Sequence, residues 1–71
     1  MAQTAVPDTK EIERDRVIEW RYTWLVAAGY SKRNAKLIAT DVTLDWRYAN
    51  TLLRNATAKG YDESFVMGLL F

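Results

Sequence analysis

Two glycines divide this chain, and each sits in the same local sentence. Gly29 follows Ala27 by two positions and leads into Tyr30 and Ser31, and Gly60 follows Ala58 by two and leads into Tyr61 and Asp62. Behind each lies an apolar pattern, Ala35, Ile38 and Ala39 after the first and Val66, Leu69 and Leu70 after the second. Glycine adopts at no steric cost the left-handed conformation that ends a helix, and Ser or Asp just beyond it can cap the next one. The chain therefore reads as two helix–glycine–helix units. A second motif is also doubled: Glu19-Trp20-Arg21-Tyr22 recurs as Asp45-Trp46-Arg47-Tyr48. Its two copies lie at different distances from the glycine that follows, nine positions for Trp20 and fourteen for Trp46. Five extra residues turn a helix by roughly 140°, so the two Trp-Arg-Tyr groups are expected to pack differently.

Residues 1–7 lack periodicity and run into Pro7, which predicts a tail ahead of a single helical domain over residues 8–71. Asp8 and Glu11 have capping-box spacing, so a long first helix is expected from there. Its apolar positions form two adjacent rows, Ile18, Tyr22 and Leu25 beside Val17, Trp20, Trp24 and Ala28, a wide stripe of the kind that faces a core. Its first turns, rich in Lys, Arg, Asp and Glu, form a solvated rod. A short second helix over Lys32 to Thr40 turns Ala35, Ile38 and Ala39 inward and Lys32, Arg33 and Lys36 outward. Thr43 or Asp41 is the expected cap of a third helix, whose Ala49, Leu52, Leu53 and Ala56 share a face. Asp62 caps a last helix carrying Phe65, Val66, Leu69 and Leu70, and the apolar Phe71 end is expected to dock. The expected fold class is all-α, a small bundle of four helices arranged as two helix-turn-helix hairpins. Its expected core is Leu25, Ile38, Ala49, Leu52, Leu53, Val66 and Leu69, with Trp24 assigned to the core as well.

A chain of 71 residues buries only about 60% of its unfolded surface. Without Cys or His it has no disulfide and no conventional zinc, haem or iron–sulfur site, so no metal and no cofactor is expected. Nine aromatic rings in so small a domain exceed what short helices can enclose, which places some of them at an interface. Ten Lys and Arg against nine Asp and Glu give a net charge of +1, which supplies no general field for phosphate backbones. The longest glycine-free apolar run is five residues, Trp24 to Ala28, far short of a bilayer. The expected setting is a cytoplasm, with no membrane and no small-molecule substrate.

Catalysis has little material. The only serines, Ser31 and Ser64, stand where helix caps and first turns want them, with no base identifiable beside either. The chain is read as no enzyme. A tryptophan next to an arginine, twice, is instead the composition of protein–protein hot spots, so Trp20, Arg21, Trp46 and Arg47, together with Phe71, are the interface candidates. Nucleic-acid binding is the alternative. Leu25, Gly29, Ala35 and Ile38 fit helix-turn-helix spacing, and Lys32, Arg33, Asn34 and Lys36 would then lie on a recognition helix.

Three resemblances bear on these residues. The segment Ala28-Gly29-Tyr30-Ser31-Lys32-Arg33-Asn34-Ala35 resembles the DNA-binding helix-turn-helix of phage small terminase subunits over about a dozen residues, though the chain lacks the oligomerisation region of such subunits. The longer run from Leu25 to Leu70 is similar to small helical proteins encoded by actinobacteria and their phages. It shares with them an Ala-Gly-Tyr-Ser turn, Val42 and Leu44 around a cap, Ala49, Leu52-Leu53, a second glycine turn and an apolar closing helix. Here Thr43 replaces the capping Asp, and Gly60 falls later than in that pattern. The resemblance implies a phage-encoded, non-enzymatic protein acting through protein–protein contacts or self-assembly, a minor component of a head or other virion assembly. The same stretch resembles ubiquitin-associated-type three-helix domains, with Ala28 in place of their protruding Met, a departure that does not carry their partner over.

Overall fold

The computed structural model describes residues 9–71, with side chains from residue 13 onward. The tail expected over 1–7 and the capping box expected of Asp8 and Glu11 lie outside the described residues and side chains. Four helices and no strand make up the described residues: α1 (Thr9–Ala28), α2 (Lys32–Thr40), α3 (Trp46–Ala58) and α4 (Glu63–Leu70). The extensive pairings are α1 with α2 and α3 with α4, so the chain folds as two hairpins, joined where α1 and α2 rest on α3.

Both glycines end helices as their sequence context predicts. Gly29 has φ +122° and Gly60 φ +88°. In each turn the glycine N–H donates to the carbonyl three residues back, and the following tyrosine N–H reaches the carbonyl five back: Tyr30 to Leu25 at 3.1 Å and Tyr61 to Ala56 at 2.9 Å. This double bond pattern satisfies carbonyls that a helix end leaves orphaned. Beyond the turns, Ser31 Oγ accepts from the Asn34 N–H at 3.3 Å and Asp62 Oδ1 from the Phe65 N–H at 3.1 Å, capping α2 and α4. The third cap differs from expectation. Asp45, not Thr43 or Asp41, caps α3 by accepting from the Arg47 N–H at 2.9 Å. Asp41 is used earlier, where its Oδ1 accepts from the Thr43 N–H and hydroxyl at 2.9 and 2.6 Å and folds the 41–45 connection. Those two bonds hold its carboxyl below the ordinary range.

Leu25, Ile38 and Val66 are fully enclosed, surrounded by Tyr30, Ala35, Ala39, Ala49, Leu53 and Ala56. Each of the three large side chains contributes roughly 1.5–3 kcal/mol by leaving water. The four alanines let the helices approach closely. Three core expectations are corrected. Leu52 is only half-buried, Leu69 is 59% exposed and Trp24 is 50% exposed. The row Val17, Trp20, Trp24 and Ala28 lies wholly on the exposed side of α1, because α2 and α3 cover only the strip centred on Leu25, with Ile18 and Tyr22 at its edge. Phe71 is 63% exposed, so the apolar end does not pack on the chain's own core.

Candidate protein-interaction site

The exposed row of α1 does not face water alone. Asp45 starts α3 where Trp46 is carried across to α1, and the rings of Trp20, Trp24 and Trp46 gather into one cluster. Trp20 stands edge-on to Trp46 with centroids 5.1 Å apart, and edge-on to Trp24 at 6.5 Å. Trp24 and Trp46 complete the triangle at 6.1 Å with their planes tilted by 33°. Edge-to-face aromatic pairs gain about 0.5–1.5 kcal/mol beyond the area they bury, which fixes the rings against one another while leaving a broad apolar face outward. Arg47 lies over the Trp46 ring, its guanidinium carbon 5.5 Å from the centroid, a cation–π distance.

Of the interface candidates from sequence, Trp20, Trp46 and Arg47 are thus brought together. Arg21 is not among them: it is half-buried on another side of α1, by Val17, Ile18, Thr40 and Val42. Phe71 stands past the end of α4 without a ring contact to the cluster among the described residues. The two Trp-Arg-Tyr groups pack differently, as their offset predicts: Tyr22 is half-buried against the core whereas Tyr48 is exposed. The third ring of the cluster, Trp24, is what sequence reasoning missed. Its spacing of four from Trp20 was legible as a shared row, but which row α2 and α3 would cover was not.

The basic candidates take a different place. Lys32, Arg33 and Lys36 are exposed and line a groove with Ile18, Glu19 and Tyr22 of α1. Asn34 is drawn away from solvent. Its Nδ2 donates to Glu63 Oε2 at the start of α4, and the same oxygen accepts from the Ser31 N–H at 2.9 Å and the Ser31 hydroxyl at 2.8 Å. Partial burial pushes the Glu63 carboxyl up, but the three hydrogen bonds outweigh it and hold the group below its ordinary value. A carboxylate so stabilised is a poor base, and Ser31 Oγ, already donating to it, serves as a cap and a tie between hairpins. Near it, Tyr30 is buried with its hydroxyl donating to the Ala49 carbonyl at 2.5 Å. Burial first, and the Glu63 charge second, push the Tyr30 hydroxyl up to about 12.

Among the described residues no group of three or more His, Cys, Asp and Glu side chains is placed to hold a metal ion. No described helix is long and apolar enough to cross a membrane. No family model matches this sequence, and no characterised protein or solved structure matches it either.

Proposed function

We propose that this chain is a small phage-encoded, non-enzymatic protein that acts through protein–protein contacts, as a minor component of a virion head or of its assembly. The observation that carries the contact reading is the tryptophan cluster. Trp20 and Trp24 are each half-exposed although they touch Trp46 and each other, so a large, ordered, apolar face with an arginine beside it is available to a partner. Trp and Arg are enriched in interface hot spots: Trp buries a large area with only two side-chain torsions to fix, and the planar guanidinium of Arg stacks on rings and pairs with carboxylates. The phage setting is supported by the resemblance of the Leu25–Leu70 run alone. The test is co-sedimentation of the purified chain with heads and portal of its own phage. Trp20→Ala and Trp46→Ala should each weaken binding at least tenfold, the loss of a hot spot, while circular dichroism shows the helices intact. Absence of binding to capsid, portal or host protein, or binding indifferent to both substitutions, would remove the proposal.

A second reading, a helix-turn-helix DNA-binding protein of small-terminase or regulatory type, is favoured by the exposed Lys32, Arg33 and Lys36 on one side of α2. The tie of Asn34 to Glu63 puts a carboxylate at the start of the would-be recognition helix. DNA retention that falls with salt and weakens in Arg33→Glu would support this reading; no mobility shift at low salt would end it.

A further inference from the structure

The outward side of α4 is as apolar as the side it buries. Val66 is buried and Met67 and Leu70 are half-buried against the core, yet Phe65 and Leu69 stand in solvent. Surface helices ordinarily turn polar residues outward. Here the one ionisable side chain of α4, Glu63, is turned inward to Ser31 and Asn34. At 100° per residue Gly68 falls at the middle of the outward side, with Phe65 and Leu69 on one flank and Ser64 on the other. A Cβ at Gly68 would meet nothing within 4 Å. The helix therefore offers a ridge, Phe65 and Leu69, beside a low strip, Ser64 and Gly68. Tyr61 extends the ridge, stacked on Phe65 with centroids 4.3 Å apart and planes 15° from parallel.

We propose that a second copy of this chain covers this face, two α4 helices packing antiparallel across a twofold axis with the ridge of each over the strip of the other. An isologous contact requires one patch to supply both the projection and the recess that receives it, and ridges entering grooves is how helices pack. α4 has both within two turns. Charge points the same way. The outward side of α4 carries no formally charged side chain, and the adjoining cation, Lys59, lies with Leu52 and Asn55 on the α3 flank of the ridge, away from the Ser64–Gly68 strip, so laying ridge on strip apposes uncharged surfaces. The tryptophan cluster, by contrast, has Arg47 on it and Asp45 beside it, a surface suited to an unlike partner. Area sets the strength. Tyr61, Phe65 and Leu69 are 45–59% exposed, and large apolar side chains of this kind present roughly 150–250 Å² each, so the ridge offers on the order of 300 Å² per copy. Stable interfaces use about 800 Å² per partner. The pair is accordingly weak and concentration-dependent, and it does not rest on the tryptophan reading.

Sedimentation equilibrium of the full chain, from micromolar to millimolar concentration, tests this directly. A reversible monomer–dimer equilibrium is expected. Gly68→Ala adds a methyl group where the single copy has open space, so helix content and thermal midpoint should hold or rise while the dimer weakens at least tenfold. Leu69→Glu, at an exposed position, should abolish the dimer, and Trp20→Ala should leave it unchanged. A chain that stays monomeric at about 1 mM, the concentration of a very weak pair, overturns the proposal. So does self-association that survives both α4 substitutions, or that is lost in Trp20→Ala, which would move the contact to the tryptophans.

Discussion

At Gly29 and at Gly60 the chain leaves a helix by the same hydrogen-bonding scheme, each time with a tyrosine amide bonded to the carbonyl five residues back. The surroundings are opposite. A Cβ at Gly29 would lie 3.4 Å from Leu53 Cδ2, whereas one at Gly60 would meet nothing within 4 Å. Tyr30 is 3% exposed and Tyr61 is 51% exposed. Ser31 both caps α2 and binds Glu63, while Asp62 only caps α4. The backbone turn is thus a local device that glycine and a capping residue produce wherever they occur together. What makes the first turn the joint of the molecule is that α3 and the start of α4 close over it.

The sharpest way to break this comparison is to place the same alanine in both turns. Strain in the left-handed region costs a non-glycine residue about 1–2 kcal/mol, and φ +122° at Gly29 lies further from the left-handed helical basin than φ +88° at Gly60, so the strain is larger at Gly29, where the added methyl would also rest in contact with Leu53 Cδ2. Gly29→Ala should therefore lose about 2 kcal/mol and Gly60→Ala about 1. For a domain of this size each kcal/mol lowers the melting temperature by about 4–8 °C. Equal losses in the two variants would show that neither the wider φ of Gly29 nor its contact with Leu53 sets the first turn apart.

The next largest effect concerns the buried hydroxyl. Tyr30→Phe keeps the ring in place and removes the donor to the Ala49 carbonyl, which retains its helical bonding, so about 1–1.5 kcal/mol should be lost in denaturant unfolding. Because the folded Tyr30 titrates near 12, above its ordinary 10, its stabilisation is complete below about pH 10 and fades as the pH rises toward 12. The wild-type chain should lose stability over that range and Tyr30→Phe should lose less. If both decline alike, another group governs the alkaline limb.

Glu63 ties the two hairpins and gives the acid limb. Its carboxyl lies below the ordinary 4.5, so its contribution is present above that pH and is lost as the pH falls through the lowered value. Glu63→Gln can still accept one hydrogen bond and should cost about 0.5–1 kcal/mol at neutral pH, less than a buried charge would, because the site is partly solvated. The gap between variant and wild type should close on acidification. A gap that stays constant down to acid pH would show that the carboxylate charge is not what ties α4 to α2.

These effects also mark how far the sequence is readable. Helix ends, both glycine turns and the caps at Ser31 and Asp62 were legible because they are set by residues within one turn of each other. So was the inward face of α2, a short helix with a clean Ala35, Ile38, Ala39 pattern. The Asp45 cap was missed because Asp41, Thr43 and Asp45 all have the right chemistry, and only the Asp41–Thr43 bonds decide among them. The Trp20–Trp24–Trp46 cluster and the Glu63 tie join residues from different helices. On α1 two neighbouring rows were equally apolar, and the side that α2 and α3 cover depends on how the hairpins dock.

The smallest effect completes the comparison. Tyr61 occupies the same place in its turn as Tyr30, but among the described residues its hydroxyl has no protein hydrogen bond, and its ring stacks on Phe65 in the open. Tyr61→Phe leaves that stack intact and removes nothing that α4 or α3 uses, so stability should change by less than about 0.5 kcal/mol, as at other unconstrained surface positions. Measured at dilute concentration beside Tyr30→Phe, it holds the substitution and the turn constant and varies only the neighbours. The difference between the two losses is therefore the contribution of the Ala49 contact itself. A Tyr61→Phe loss as large as that of Tyr30→Phe would mean that the aromatic hydroxyl matters to the turn rather than to the helix closing over it.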